Sequence, residues 1–145
     1  MKNIVMYDFG ENWSRWEPIA GLAKKYHLDE LISGSNGLII KLLEAGNMSR
    51  GIKLTFKDSV CAYRITEEGF RLRLMNDLAA KYGANFYSGC TLFKVEKSFY
   101  LKWISEQSFA YDDGLPGFVQ FSILAMDDFV DIISNYEPEI FFFEV

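Results

Sequence analysis

Apolar and polar residues alternate with a period of two in several segments of the chain, which is the pattern of a half-buried β-strand. Residues 52–57 show the strictest alternation, and the largely apolar residues 37–44 precede them. The segment at residues 34–37 (Gly-Ser-Asn-Gly) predicts a tight turn, whereas residues 28–33 fit either a strand or a continued helix. This order predicts an antiparallel meander. Further strands are predicted at residues 3–9, 60–65, 91–96, 118–126, 129–133 and 139–145.

Three other segments have the spacing and the terminal signals of helices. The first begins at Pro18, because proline is favoured at the first helical position. The second begins at Thr66, a favourable N-cap residue, and ends at Gly83. The third is capped by Ser98 and extends to about Gln107. The apolar face of the first helix consists of Ile19, Leu22, Ala23 and Tyr26.

These elements predict a single α+β domain over residues 1–145, with a mostly antiparallel sheet and two or three helices packed on one side. The chain of 145 residues has ordinary single-domain size and contains no linker, repeat or low-complexity tract. No apolar run approaches the roughly 20 residues of a membrane-spanning helix. Charges at Asp8 and Glu11 interrupt the N-terminal segment before a signal-peptide core. A cytoplasmic location is therefore expected.

The charged residues are distributed unevenly along the chain. All 15 Lys and Arg residues lie at or before Lys102, and the net charge of the whole chain is −5. The segment after Lys102 is also rich in aromatic residues, so it is expected to fold. It predicts a negative surface that repels nucleic acid and attracts a basic macromolecule. The acids after Lys102 are Glu106, Asp112, Asp113, Asp127, Asp128, Asp131, Glu137, Glu139 and Glu144.

Seven of these acids are predicted to contact a basic partner: Asp112, Asp113, Asp127, Asp128, Asp131, Glu137 and Glu139. Glu137 and Glu139 are expected to project from one face of the last strand, beside Asp131 on a neighbouring strand. Carboxylates on one face repel one another, so a neutralising partner explains them. A merely solubilising face is the alternative. Phe109 or Tyr111 is expected to supply an apolar anchor beside the acids.

The sequence contains no recognisable catalytic or metal-binding motif. His27 is the only histidine, and neither a GxSxG nor an HExxH pattern is present. The glycines form no phosphate-binding loop, and the acid pairs lack a third metal ligand. Cys61 and Cys90 lie in apolar runs without metal-ligand spacing, so both are expected to be buried, reduced thiols. A non-enzymatic protein without a cofactor or a metal is therefore predicted.

Arg64, Arg71 and Arg73 form a loose group of basic residues. A nucleic-acid-binding surface is not expected, because the net charge of the chain is negative. The predicted role of Arg64 is an ion pair with Glu67 or Glu68.

Four blocks of framework residues, spread over most of the chain, carry a family resemblance. They are Trp16-Glu17-Pro18; Val60-x-x-Tyr63-Arg64-x-x-Glu67; Leu92-Phe93-x-Val95-x-x-Ser98-x-Tyr100-Leu101-x-Trp103-x-x-x-Gln107-Ser108; and Phe121-Ser122-Ile123-x-x-x-Asp127-Asp128-x-x-Asp131-Ile132-Ile133-x-x-Tyr136-Glu137-Pro138. These blocks resemble bacterial toxin-neutralising immunity proteins, including those of contact-dependent growth inhibition systems. The resemblance implies a cytoplasmic protein that binds one cognate toxin, often a basic nuclease, and blocks it. It does not specify the contact surface.

Two other functions stay open on the sequence alone. A small-ligand-binding domain or enzyme would use an aromatic-lined pocket between helix and sheet, near Tyr63, Arg64, Glu67 and Trp103. A structural subunit would pair its last strand, which includes residues 141–143, with a second copy. Apart from a toxin, neither nucleic acid nor a membrane is expected as a partner. A monomer or a weak homodimer is the expected state.

Overall fold

Two antiparallel β-sheets form the framework of the chain in the computed structural model, which describes residues 8–109 and 115–145. The strands are β1 (Asn12–Arg15), β2 (Tyr26–Gly34), β3 (Gly37–Glu44), β4 (Asn47–Phe56), β5 (Ala62–Glu67), β6 (Leu92–Glu96), β7 (Val119–Leu124), β8 (Asp128–Ser134) and β9 (Glu139–Glu144). The helices are α1 (Leu72–Tyr82) and α2 (Phe99–Gln107), and a 3₁₀ turn spans Glu68–Phe70. Sheet A has the strand order β1-β6-β7-β8-β5, and sheet B has the order β2-β3-β4-β9.

The alternation of apolar residues explains why the two sheets pack face to face. In β4, Ile52, Leu54 and Phe56 are buried, while Lys53 and Thr55 between them are partly exposed. The buried side chains join residues of sheet A in one core, because successive side chains of a strand point to opposite faces. The predicted α+β class with mostly antiparallel pairing is confirmed. The expected single sheet is wrong, because the strands divide into two sheets.

The turn predicted at residues 34–37 is confirmed, and it joins β2 to β3. Gly34 pairs with Gly37 across the turn, and residues 28–33 belong to β2. Gly37 has a φ of +88°, and a Cβ at this position would overlap the carbonyl oxygen of Phe56. Glycine is therefore required here, both for its positive φ and for its missing side chain.

The helix predicted from Pro18 is wrong: residues 16–25 form an irregular loop that leads into β2. Gly21 within this loop has a left-handed φ of +86°, which no right-handed helix accommodates. The helix-like spacing has another cause, because the loop packs Leu22 and Ala23 against the core and Tyr26 is buried in it. A loop with several apolar anchors can therefore imitate helical periodicity.

Lys25 connects this loop to sheet A through two hydrogen bonds. Its Nζ donates hydrogen bonds to the carbonyl oxygens of Cys90 and Leu124, both at 2.8 Å. Burial lowers the pKa of Lys25 from its usual 10.5 to about 8, because the charged ammonium group loses hydration.

We expect the protein to become more stable as the pH rises from about 8 to about 10, through Lys25. In this interval the unfolded chain keeps a protonated Lys25, whereas the folded chain has released that proton. The free energy of unfolding therefore rises with pH, by at most about 1.4 kcal/mol per pH unit. Urea unfolding of the wild type and of Lys25→Met at several pH values measures the two slopes. Equal slopes in the two proteins would contradict this role of Lys25.

The end of α1 and the start of α2 agree with the sequence prediction. Gly83 ends α1 with a φ of +100°, and the Ser98 side chain caps α2 by accepting a hydrogen bond from Leu101 N at 2.9 Å. The predicted start of the earlier helix is wrong, because Thr66 belongs to β5 and α1 begins only at Leu72. A 3₁₀ turn at Glu68–Phe70 separates β5 from α1.

A second, smaller core lies on the outer face of sheet A. Leu78 of α1 is fully buried there among aromatic residues such as Phe93 and Phe129. Cys90 is buried in this core, as predicted, and both thiols are free. The expected burial of Cys61 is wrong: this residue is exposed, because it immediately precedes β5 at an edge of the sheet.

The described residues include no helix with both the length and the hydrophobicity of a membrane span. The strand predicted at residues 3–9 falls mostly outside the described part of the chain. The last predicted strand is confirmed as β9, which pairs with β4 at an edge of sheet B. Pairing of this edge with a second copy stays a prediction.

Candidate functional site

Asp131, one of the predicted partner contacts, is a buried residue. Its side chain is 0% exposed, and it lies opposite Arg64 where β8 pairs with β5. The expectation that Asp131 reaches solvent beside Glu137 and Glu139 is wrong, because β8 and β9 belong to different sheets. Burial of an acid is tolerated here only because charged and polar groups surround it.

Two arginines donate hydrogen bonds to the Asp131 carboxylate. Arg64 Nε donates to Asp131 Oδ2 at 2.7 Å, and Arg71 Nη1 donates to the same oxygen at 3.0 Å. The predicted ion pair of Arg64 with Glu67 or Glu68 is thus replaced by a pair with a more distant residue of the sequence. This cluster connects β5 and the N-cap residue of α1 to the neighbouring strand β8.

Other late acids pair with basic residues from earlier in the chain. Glu137 Oε1 accepts a hydrogen bond from Lys94 Nζ at 2.7 Å, and Glu139 Oε1 lies 2.8 Å from Lys57 Nζ. Because Lys94 belongs to sheet A and Lys57 follows a strand of sheet B, these two acids contact different sheets. For Glu137 and Glu139, folding therefore places an early basic residue beside a late acid.

Asp127 and Asp128 lie together in a shallow depression of about 480 Å³, which also includes Glu67 and Glu68. The pairing of β5 with β8 brings them there, since Glu67 is the register partner of Asp128. Glu68 N also donates to the Asp127 carbonyl oxygen at 2.9 Å. We call these four carboxylates the acidic depression. Their mutual proximity favours the approach of a positively charged group.

Asp112 and Asp113 lie outside the described residues, as does Tyr111. Phe109 is described, and its side chain is largely exposed just after the end of α2. The roles of Asp112, Asp113, Asp127, Asp128, Glu137 and Glu139 in partner binding stay predictions.

A buried hydrogen-bond network connects Asp131 to the start of α2. Ser122 Oγ and Gln120 Nε2 donate to Asp131 Oδ1 at 2.6 and 3.2 Å. Gln120 Nε2 also donates to Ser122 Oγ at 2.7 Å, and Gln120 Oε1 accepts a hydrogen bond from Ser98 Oγ, the cap of α2. Because each member is hydrogen-bonded away from water, the network fixes the helix start relative to sheet A.

Glu11 holds the same helix start from the other side. Its buried carboxylate accepts hydrogen bonds from Phe99 N at 2.8 Å and from Trp13 Nε1 at 3.1 Å. A carboxylate at this position satisfies an unpaired helical N–H group and complements the positive end of the helix dipole. The first turn of α2 therefore has two independent polar anchors.

An open groove of about 510 Å³ lies beside this first turn, lined by Arg64, Phe99, Tyr100 and Trp103. The guanidinium carbon of Arg64 lies 4.1 Å from the centre of the Tyr100 ring, which is within cation–π range. The Tyr100 and Trp103 rings are 19° from parallel, with their centres 6.4 Å apart. Burial raises the pKa of Tyr100, so its hydroxyl stays protonated at neutral pH. We call this site the arginine–aromatic groove.

A second depression of about 470 Å³ continues the groove towards α1. It shares Arg64 and Phe99 with the groove and adds Phe70, Arg71 and Arg73. Its remaining lining residues are Phe9, Glu11, Leu74 and Asp77. The charges in this second depression are mixed, whereas Arg64 is the charged residue among the described lining of the groove.

Three large aromatic side chains are exposed along these two depressions. The exposed fraction is 80% for Phe70, 52% for Phe99 and 54% for Trp103. Contiguous apolar surface of this kind is uncommon on monomeric proteins and often marks an interaction site. Aromatic residues and arginine are also the residue types enriched at protein interfaces.

The sequence indicated this site only in part. Of the residues expected around a pocket, Arg64 and Trp103 line the groove. Tyr63 points to the opposite face of β5, and Glu67 lies in the acidic depression. The spacing of Phe99 and Trp103 places both on one side of α2, and this spacing was the missed signal.

Within residues 8–109 and 115–145, no group of three or more His, Cys, Asp and Glu side chains is arranged to hold a metal ion. His27 Nδ1 lies 3.6 Å from Asp127 Oδ2 at the rim of the acidic depression.

Comparisons with protein-family models, with curated proteins and with solved structures gave no match. The protein has a two-sheet, mostly antiparallel α+β fold with an exposed arginine–aromatic groove.

Proposed function

We propose that this chain is an immunity protein, which binds one cognate bacterial toxin domain in the cytoplasm and blocks it without catalysing a reaction. The observation that carries the proposal is the contiguous exposure of Phe70, Phe99 and Trp103. Burial of apolar surface by a partner contributes roughly 25 cal/mol per Å², and aromatic anchors commonly dominate binding energy. The resemblance of the four sequence blocks to immunity proteins supports a toxin as that partner.

The charge of the chain supports a basic toxin, such as a nuclease. The net charge is −5, and Asp127 and Asp128 lie in the acidic depression beside the turn that leads to Phe70. Long-range attraction of this kind raises association rates towards about 10⁸ M⁻¹s⁻¹ at low salt. The proposed interface therefore combines the acidic depression, which attracts the toxin, with the exposed aromatic residues, which anchor it.

Growth of cells that produce a toxin tests this proposal. The candidate toxin is the C-terminal domain of any large secreted protein that is encoded immediately upstream of this chain. We expect the chain to restore growth and to form a stoichiometric complex whose association slows as salt concentration rises. Growth arrest in the presence of the folded chain, or failure to form a complex, would contradict the proposal.

A second candidate function, small-ligand binding, is favoured by the dimensions of the arginine–aromatic groove. Its volume of about 510 Å³ lies within the usual range for ligand sites, and its walls combine aromatic rings with one polar group. A small aromatic carboxylate that binds at micromolar concentration, in a chain that forms no toxin complex, would favour this function over the first.

A further inference from the structure

We propose that the arginine–aromatic groove receives an acidic side chain from a loop of the partner protein, beside an apolar or aromatic side chain of the same loop. This inference rests on the proposed function, because the bound toxin supplies the loop. It assigns to Arg64 the contact with the partner's carboxylate, and to Phe99 and Trp103 the contact with the neighbouring apolar side chain.

Behind the groove, the positive and negative charges of the hydrogen-bonded side chains are unequal in number. The single carboxylate of Asp131 lies opposite two guanidinium groups, those of Arg64 and Arg71. The other members of the buried network, Ser122 and Gln120, are neutral. The Arg71 side chain is only 15% exposed, so water compensates its charge poorly. Within this hydrogen-bonded group the guanidinium charges outnumber the carboxylate. Glu11 and Asp77 line the second depression on the Arg71 side, so an additional carboxylate is best placed at Arg64 on the groove side, where the described lining residues include no acid.

The second argument is the orientation of Arg64. Its side chain is 43% exposed, and its Nε is committed to Asp131. Asp131 is the hydrogen-bond acceptor that the described chain provides for Arg64. The two terminal Nη groups can therefore donate to an external acceptor, and a carboxylate accepts two parallel hydrogen bonds from a guanidinium group. The Tyr100 ring packs against the guanidinium at 4.1 Å and restricts its motion.

The third argument is the composition of the groove walls. Among the described lining residues, Arg64 carries the charge, and Phe99, Tyr100 and Trp103 are aromatic. Arg64 would repel a positively charged side chain here, whereas a carboxylate gains the ion pair, which strengthens as the bound partner excludes water from the groove. Half of each Phe99 and Trp103 side chain is available to cover an apolar neighbour of that carboxylate.

The groove carries a positive charge and the acidic depression carries negative charges, so the two ends of the proposed interface differ in sign. Glu68 and Phe70 are the first and last residues of the same 3₁₀ turn, so the acidic depression and the second depression adjoin. A toxin that is basic overall and carries one acid would fit in a single orientation, with its acid at Arg64 and a basic residue at Asp127 or Asp128. Charges of opposite sign at two places select against partners that present only one sign.

The test uses the ¹⁵N-labelled full chain and a blocked peptide, acetyl-Gly-Phe-Asp-Phe-Gly-amide, with a second peptide in which asparagine replaces the aspartate. We expect the aspartate peptide to shift the NMR signals of the Arg64 Nε–H and Trp103 indole N–H groups. Its affinity is expected to exceed that of the asparagine peptide by about fivefold or more. Equal affinities of the two peptides would overturn the proposal, as would unchanged signals at peptide concentrations up to about 10 mM.

Arg50 provides a matched control for Arg64. Its guanidinium also lies over an aromatic ring, that of Phe142 at 5.0 Å, and its Nε lies 2.9 Å from Glu44 Oε2. Arg64→Met should abolish the preference for the aspartate peptide, whereas Arg50→Met should retain it. Because Arg64→Met also removes a partner of Asp131, Trp103→Ala is the second variant; it leaves the buried pair intact and should weaken both peptides. Retained preference in Arg64→Met would overturn the proposal.

Free phenylacetate separates the two possible sources of the carboxylate. Phenylacetate that binds as tightly as the aspartate peptide would overturn the partner-loop assignment and favour small-ligand binding. Failure of the peptide test in a chain that still protects cells would remove this inference and leave the proposed function standing. Selective binding of the aspartate peptide by a chain that protects against no toxin would overturn the proposed function and, with it, the partner loop as the occupant.

Discussion

Replacement of Asp131 by asparagine is expected to lower the free energy of unfolding by about 3–5 kcal/mol. Asparagine keeps the shape of the side chain but removes the charge that opposes Arg64 and Arg71, which lie 2.7 and 3.0 Å from it. Two guanidinium groups would then remain partly buried without the negative charge that lies within hydrogen-bond distance of both. Urea unfolding followed by circular dichroism measures this loss.

Glu137→Gln is the matched control for Asp131→Asn. Glu137 Oε1 lies 2.7 Å from Lys94 Nζ, the same separation as in the Asp131–Arg64 pair, but both partners are substantially exposed. Exposed pairs contribute about 0–1 kcal/mol, so this variant should unfold almost as the wild type does. Similar losses in Asp131→Asn and Glu137→Gln would show that burial of Asp131 is not the decisive difference.

Trp103→Ala is expected to weaken toxin binding by about 2 kcal/mol or more, roughly thirtyfold in Kd. The side chain is 54% exposed in the free chain, so its truncation removes little folding energy and a large part of the proposed anchor. Isothermal titration with the toxin domain measures the change in affinity, and urea unfolding checks that the stability is preserved.

Phe141→Ala is the control for Trp103→Ala, since Phe141 has a similar exposed fraction, 58%, but lies on β9 of sheet B. We expect it to bind the toxin as the wild type does. If Phe141→Ala lost toxin binding and Trp103→Ala retained it, the interface would lie on sheet B instead.

The strands were largely predictable because their signal is local. Alternation within residues 52–57 and the glycines at residues 34–37 depend only on neighbouring positions, and both predictions are confirmed. The division into two sheets was not predictable in this way. Strand β5 follows β4 along the chain yet pairs with β8. Alternation indicates which face of a strand is buried, but it does not indicate which strand pairs with it.

The residues around Asp131 indicated its burial, but the number of acids after Lys102 favoured an exposed position. Asp131 is flanked by apolar residues on β8, and Ser122 holds the same kind of position on β7. A single polar residue within an otherwise apolar strand indicates a position inside the protein, where it needs a specific partner. Arg64 is such a partner, 67 residues earlier in the sequence.

The position of the acids along the chain was a poor guide to the surface for a related reason. Folding brings Lys57 to Glu139 and Lys94 to Glu137, so early basic residues neutralise late acids. Among the predicted contacts that the structure describes, only Asp127 and Asp128 lie with other acids, and those acids, Glu67 and Glu68, come from the middle of the chain.

Amide hydrogen exchange of the chain, free and saturated with the toxin domain, tests most directly whether the partner binds the face formed by β5, the turn after it and α2. The account predicts slower exchange in residues 62–73 and 98–107 of the complex. Slower exchange confined to residues 137–144, with unchanged exchange in residues 62–73 and 98–107, would contradict it.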